Sequence, residues 1–477
     1  MNTEILLPVT DLKPALTGLN RIVAKKSTLP VLGHVRITRL DRTVTLQATD
    51  LDATATFTLT QPQEGDPIDV LMPLEQLNRA FKTSGKNDLA LIVEGKGTKL
   101  RYFLADNPVL QPVNTLPTED WPPQPTITVT PEPLQDGFYK AVREALACCS
   151  EDPTRHTICG ACLDARDSKA HYVVGTNGRF LYSANTFSFP LKEAIIVPDS
   201  KFLNNGTLPE DQTCSLAVQP APKGSDTRHI SLQAGPWQYV TREIVGNYPN
   251  WKQVVPELDS KWSHIQLTEP AIEQLLRTIP NMPGKDGENH GVRLRMGDQV
   301  LYVEGRNKED KEWTSIAVQD VTLTGKSKQI TVNREYLLPA LRYGLNDLAI
   351  LDDLSPMVCQ TKGKRLVIMP LRPEGPATQP STPSTSEPPT TEAPKLAEEK
   401  EAIVNKDTSK PELAKPTEPQ TTLIDQVERV KETLKNALRE LTGLTDLAKQ
   451  IERDKRAGDK EVETARAVLK KLQQVQL

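Results

Sequence analysis

The residues that could do covalent or metal chemistry are few in this chain and poorly spaced for it. Thr324-Gly325-Lys326-Ser327-Lys328 ends like a phosphate-binding loop, whose backbone N–H groups cradle phosphate oxygens, but Asp320 stands where the first glycine of such a loop must be. Cys148-Cys149 and the pair Cys159 and Cys162 suggest zinc or redox chemistry. The second pair falls in a predicted strand, where that offset points the two thiols to opposite faces. The histidines, His34, His156, His171, His229, His264 and His290, are scattered and form no HExxH pattern. No active site, metal or cofactor is expected, so the chain does not read as an enzyme.

The composition sets wider bounds. With 477 residues, 37% hydrophobic and 25% charged, the chain has room for two to four globular domains. No stretch approaches the ~20 apolar residues of a membrane span. The start, MNTEILLPVTDLKP, lacks a basic head followed by an apolar block, so no signal peptide is expected and the cytoplasm is the default location. Six cysteines are too few for a disulfide framework. A net charge of -4 argues against a uniformly basic nucleic-acid binder. It leaves room for a local basic face, as in a protein acidic outside and basic around an enclosed duplex.

The elements that would build such a face recur. Gly33 opens HVRITRLDRTVTLQATDLDATATFTL, Gly160 opens ACLDARDSKAHYVVGTNGRFLYSA, and Gly291 opens VRLRMGDQVLYVEGRNKEDKEWTSIAV. Each reads as strand, polar hairpin, strand, polar turn, strand. An amphipathic helix is predicted before each (11–25, 133–147, 269–279) and another after it (73–83, 198–204, 333–343). The period, about 120 to 130 residues, is that of whole domains rather than of a solenoid. Three α+β domains are expected, over 1–124, 125–256 and 257–373, joined by the similar linkers NTLPTEDWPP and IVGNYPNWKQVVP.

Beyond Pro373 the composition changes. Residues 374–422 are rich in Pro, Thr, Ser and Glu and almost free of large apolar groups, the pattern of a disordered tether with a reach of ~40 Å. Residues 423–477 return to helical periodicity. Leu423, Val427, Val430, Leu434, Ala437, Leu441, Leu444, Ala448 and Ile451 keep an a/d register, and a stop at Ala457-Gly458-Asp459 precedes a second helix carrying Val462, Ala465, Leu469 and Leu472. A helical hairpin or coiled coil is predicted, packed on itself, self-associating or recruiting a partner.

Residues 1–373 resemble the β subunit of bacterial DNA polymerase III, the replicative sliding clamp. The matching pieces are STLPVLGHVRI, ATDLDATATF, VVGTNGRFLYSA, AIIVPDSKFL, VGNYPNWKQVVP, HGVRLRMGDQVLYVEGRN and LVIMPLRP, in the family's order and spacing. The resemblance implies a head-to-tail homodimer, a ring of six domains with sheets outside and helices lining a pore for duplex DNA. It implies sequence-independent contact with phosphates. The residues then expected at the pore are Arg21, Lys25, Lys26, Arg79, Lys82, Lys140, Arg143, Lys201, Arg277, Arg334 and Arg342.

The resemblance also implies a peptide groove between the second and third domains, where DNA polymerase III, other polymerases and the clamp loader dock a Gln-containing peptide ending in Leu or Phe. Carried over by position, the groove comprises Ile158, Thr176, Gly178, Arg179, Phe180 and Leu181, then Pro249, Gln253 and Val254, then Val367, Met369, Pro370, Leu371 and Arg372. The family usually has His-Arg where this chain has Arg179-Phe180, and Arg where it has Gln253, so an altered peptide preference is expected. The family's chain normally ends near Arg372. Here two tail segments, QTTLI (420–424) and QQVQL (473–477), faintly resemble the docking peptide and could occupy the chain's own groove. Copies are expected to meet between the stretch from Tyr102 to Val113 and the helix carrying Leu276 and Ile279, with Pro112 removing a ladder donor if it lies in the pairing. The alternative is a clamp paralogue serving as a scaffold for a repair or mobile-element polymerase.

Overall fold

A computed structural model describes residues 3–23, 27–95, 97–287 and 289–372. Lys25, Lys26, the Pro-rich stretch and the predicted C-terminal helices lie outside the described residues.

The elements follow one order three times. First come β1 (Glu4–Leu7), α1 (Val9–Ile22), β2 (His34–Leu40), β3 (Thr43–Thr49), β4 (Ala53–Thr58), β5 (Ile68–Pro73), α2 (Leu74–Ser84), β6 (Leu89–Glu94), β7 (Gly97–Leu104) and β8 (Asn107–Pro112). The second set is β9 (Glu132–Pro133), α3 (Phe138–Leu146), β10 (Gly160–Asp164), β11 (His171–Thr176), β12 (Phe180–Phe187), β13 (Ile195–Pro198), α4 (Lys201–Asn204), β14 (Ser215–Gln219), β15 (His229–Ala234) and β16 (Trp237–Arg242). The third is β17 (Ser263–Leu267), α5 (Glu269–Thr278), β18 (Gly291–Met296), β19 (Leu301–Gly305), β20 (Thr314–Val318), β21 (Val321–Thr324), β22 (Gln329–Asn333), α6 (Arg334–Arg342), β23 (Asp347–Ile350), β24 (Met357–Thr361) and β25 (Lys364–Ile368). Strand β21 has no counterpart in the first two sets.

The α+β reading holds, and local chemistry accounts for the elements. α1 buries Leu12, Ala15, Leu16, Leu19 and Ile22, a stripe at helical spacing. α5 starts at Thr268, whose hydroxyl accepts from Ala271 N–H, with Pro270 in the first turn. β2 alternates between half-buried and buried positions, as a strand covered on one face should. β10 is buried at every position because the chain near Tyr248 and Trp251 crosses its outer face.

Two of the four sheets cross from one repeat to the next. The eight-stranded sheet runs β5-β2-β3-β4-β16-β15-β14-β9, and the nine-stranded one β13-β10-β11-β12-β25-β24-β23-β17-β21. Each seam pairs the fourth strand of one repeat with the last strand of the following one, β4 with β16 and β12 with β25, both antiparallel. The two four-stranded sheets, β1-β6-β7-β8 and β20-β19-β18-β22, end on unpaired edges at β8 and β20. α2 packs on α1, α1 on α4, α4 on α3, and α5 on α6. At the first seam α1 lies so near β16 that a Cβ on Gly18 would stand 2.4 Å from the Trp237 ring.

Candidate nucleic-acid interface and peptide groove

The cations expected on the helices divide into three groups. Lys82, Lys140, Lys201 and Arg342 are exposed. Arg79 and Arg277 are exposed too, each paired one helical turn back, with Glu75 at 2.9 Å and Glu273 at 3.2 Å. These pairs are solvated and hold their partners weakly. Arg21 and Arg143 brace instead: Arg21 donates to Asn205 O at 3.1 Å and Thr207 Oγ1 at 2.6 Å, and Arg143 reaches Asn204 O and the Glu210 carboxylate.

Arg334 departs from its expected place. It is 1% exposed, and its guanidinium donates to the carbonyls of His290, Ile279, Met282, Pro283 and Gly291 at 2.6 to 3.2 Å. Burial lowers its pKa. A guanidinium surrounded by carbonyl dipoles is a structural clamp for the 279–291 loop, not a phosphate contact. Ile279, expected near the contact between copies, is fully buried, whereas Leu276 is half-buried.

The groove residues gather at the second seam. Leu181 of β12 is the register partner of Val367 of β25, and Thr176 is the partner of Leu181 across β11. Ile158, Leu181, Val174, Tyr248 and Trp251 form one apolar cluster, and Val367 belongs to a second with Trp262, Ala349 and Val358. The connecting segment around Tyr248 to Leu258 packs on both clusters, and the trough that the resemblance implies would lie at their junction. Val254 and Met369, both named for that trough, are 52% and 48% exposed, large apolar side chains in water. Pro249, Gln253 and Arg372 are exposed, and Pro370 and Leu371 half-buried. Leu371 N–H donates to Thr331 O at 2.7 Å, which fastens the stretch after β25 alongside β22.

The turn from Thr176 to Phe180 is fixed by its own polar groups. Thr176 Oγ1 donates to Phe180 O at 2.6 Å, and Asn177 Oδ1 accepts from Arg179 and Phe180 N–H. Gly178 has φ +84, and a Cβ there would stand 2.4 Å from the Arg155 guanidinium, which also donates to Asn177 O at 2.9 Å. Arg155 therefore braces this turn, a contact the sequence reading missed. It stands three positions before Ile158, and no local pattern in the sequence aims it at the turn.

Phe180 is the second departure. Strand alternation puts Leu181 in the trough and Phe180 on the opposite, core face, where its ring stacks on Tyr336 of α6 with centroids 4.4 Å apart. Leaving the trough along the same sheet face, an open cavity of about 330 Å³ is lined by Tyr172, Trp251, Lys252, Gln360 and Arg365 among others. Trp251 is anchored from below: its Nε1–H donates to Asp164 at 2.9 Å. Burial pushes the Asp164 carboxyl up, but hydrogen bonds from Arg166 and Trp251 outweigh it and hold the pKa at about 2.

Cys162 is buried against the connecting segment, while Cys159 precedes β10 and is half-buried. No cluster of three or more metal-ligating side chains occurs among the described residues. Among them, no helix is long and apolar enough to cross a membrane.

Repeated α+β units joined by shared sheets, with helices in lateral contact, are the architecture of a DNA sliding clamp. The likeness read from the sequence holds in comparison with known proteins. The beta sliding clamp of Pseudomonas aeruginosa is 21% identical over 328 residues, covering 67% of this chain and 84% of the relative. That of Escherichia coli K12 is 21% identical over 384 residues, covering 77% and 98%. The crystal structure of DNA polymerase III subunit beta from Pseudomonas aeruginosa matches with a TM-score of 0.63 and 19% identity, over 78% of this chain and all of that one. The sliding clamp of Bacillus subtilis matches with 0.65 and 16% over the same shares. No family model matches the chain.

Proposed function

We propose that this chain is a DNA sliding clamp, a processivity factor rather than an enzyme, working in the cytoplasm. Two copies close head to tail around duplex DNA, and the groove at the second seam tethers DNA polymerase III, other polymerases and the clamp loader. The observation that carries this reading is the seam rule. The last strand of each following repeat pairs with the fourth strand of the one before, so β8 of one copy and β20 of another are left as the matching ends of a third seam. Two such joints would close six repeats.

Enclosure replaces grip. A ring needs no base readout, only cations that exchange phosphates as it moves, and Lys82, Lys140, Lys201 and Arg342 suit that work because no ion pair occupies them among the described residues. Binding an extended peptide in the trough buries the Val254 and Met369 side chains that water now covers. The domain limits at 124, 256 and 373 and the partner of residues 423–477 belong to the same proposal. The relatives do not favour a scaffold paralogue.

The test is the length of DNA copied per binding event by a polymerase ending in a groove peptide. With the chain and its loader present it should rise at least tenfold, and no rise would contradict the reading.

A further inference from the structure

The internal seams define what the seam between copies needs. In the first, Thr58 N–H donates to Pro236 O at 2.9 Å and Arg242 N–H to Asp52 O at 3.1 Å. The second repeats the frame, with Asn185 N–H to Gly363 O and Met369 N–H to Arg179 O, both at 3.0 Å. The last strand turns alternate residues outward, Gln238, Val240 and Arg242 in β16 and Arg365, Val367 and Met369 in β25, and all six carry an N–H.

β8 holds the equivalent place, following the Ala105-Asp106 turn as β16 follows Gly235-Pro236. Val113 N–H donates to Thr98 O at 2.9 Å, so Asn107, Val109 and Gln111 face β7 and the outward residues are Pro108, Leu110 and Pro112. Two of these have no N–H to give. Pro112 O, moreover, already accepts from Gln76 Nε2 at 2.9 Å.

The matching edge is β20. Ala48, Gly175 and Gly305 correspond in the three repeats, and their cross-strand partners are Ala55, Tyr182 and Thr314. Since Ala55 pairs Tyr239 and Tyr182 pairs Leu366 across the internal seams, Thr314 should meet Val109 of a second copy. That register sets Leu110 opposite Trp313 and Pro108 opposite Ser315. Leu110 is 50% exposed, and the guanidinium groups of Arg293 and Arg306 lie over the Trp313 ring, 3.9 and 4.9 Å from its centroid.

We propose that the seam between copies is held by side chains, with Trp313 packed on Leu110 of a second copy and a single β8 N–H in the ladder. This rests on the two-copy ring proposed above. An edge with one donor where the internal seams have three forms a shorter ladder, and an aromatic anchor supplies what the ladder lacks.

The experiment is the dimer dissociation constant of the full chain by sedimentation equilibrium. Replacing both prolines, Pro108→Ser with Pro112→Thr, should tighten the dimer at least tenfold. Trp313→Ala should loosen it at least tenfold and Trp313→Phe restore most of that, with circular dichroism unchanged. Val109→Cys combined with Thr314→Cys should give a disulfide-linked dimer on oxidation, since a non-hydrogen-bonded antiparallel pair places Cα atoms ~4.5 Å apart. A dimer indifferent to these substitutions overturns the side-chain joint alone. Monomers in every variant at all concentrations overturn the ring itself.

Discussion

Lys364 Nζ of β25 lies 2.6 Å from Glu144 Oε2 of α3, an ion pair between a partly exposed lysine and a buried carboxylate that ties the third repeat to the second at the second seam. Tyr182 OH donates to the same oxygen at 2.5 Å, and Glu144 Oε1 has no partner. Removing the lysine leaves a buried carboxylate with only a phenol to satisfy it. Lys364→Met should therefore cost about 3 to 5 kcal/mol in chemical denaturation. Adding Glu144→Gln should recover part of the loss, and a single variant as stable as the parent would contradict the pairing.

Gly18 tests the first seam. Its missing side chain is occupied by the Trp237 ring, packed in turn against Phe57 with centroids 4.9 Å apart. Gly18→Ala should destabilise by about 1 to 3 kcal/mol despite alanine's better helix propensity. A thermal melt that rises instead would show that α1 does not approach β16 this closely.

Asp164 gives a pH signature. Its folded pKa of about 2 lies below the ~3.9 of an unfolded aspartate, so its contribution is complete above that range and fades as pH falls toward 2. Asp164→Asn should lose about 2 kcal/mol at neutral pH, with the gap to the parent closing between about pH 4 and 2. Equal loss at every pH would place the cost in packing rather than in charge. Because Asp164 holds Trp251, the same change should weaken peptide binding.

At the trough, Val254→Ala with Met369→Ala should weaken a fluorescent peptide ending in Leu or Phe at least tenfold, about 1.4 kcal/mol or more, by anisotropy. Both side chains are half exposed, so the melting temperature should not move.

The helix cations separate binding from architecture. Alanine at Lys82, Lys140, Lys201 and Arg342 together should reduce the steepness with which DNA affinity falls with salt, leaving stability intact. Arg334→Met should do the reverse, losing several kcal/mol by removing the guanidinium from five carbonyls, of which His290 O and Ile279 O keep a backbone N–H donor, while the salt dependence stands.

What could be read from the chain was whatever is local. Helical stripes such as Leu12 to Ile22 and hairpins such as Leu40 to Thr43 announce themselves through periodicity and turns. The seams did not, because Leu181 meeting Val367 joins residues far apart in sequence. Arg155, which reaches Asn177 across 22 positions, was likewise announced by no local pattern. Predicted positions failed where one step of phase mattered: Phe180 falls on the core face beside Leu181 in the trough, and Arg334 turns inward at the start of α6 instead of out with Arg342. Gly137 at φ +80 explains why α3 starts at Phe138 rather than at Pro133, since a left-handed residue cannot continue a helix.

Enclosure of DNA is the central claim, and retention on circular against linear duplex tests it most directly. The full chain, loaded onto a nicked circle by its clamp loader and isolated by gel filtration, should stay with the circle and leave once a single restriction cut opens an end. Retention indifferent to that cut would mean that the protein grips DNA without encircling it.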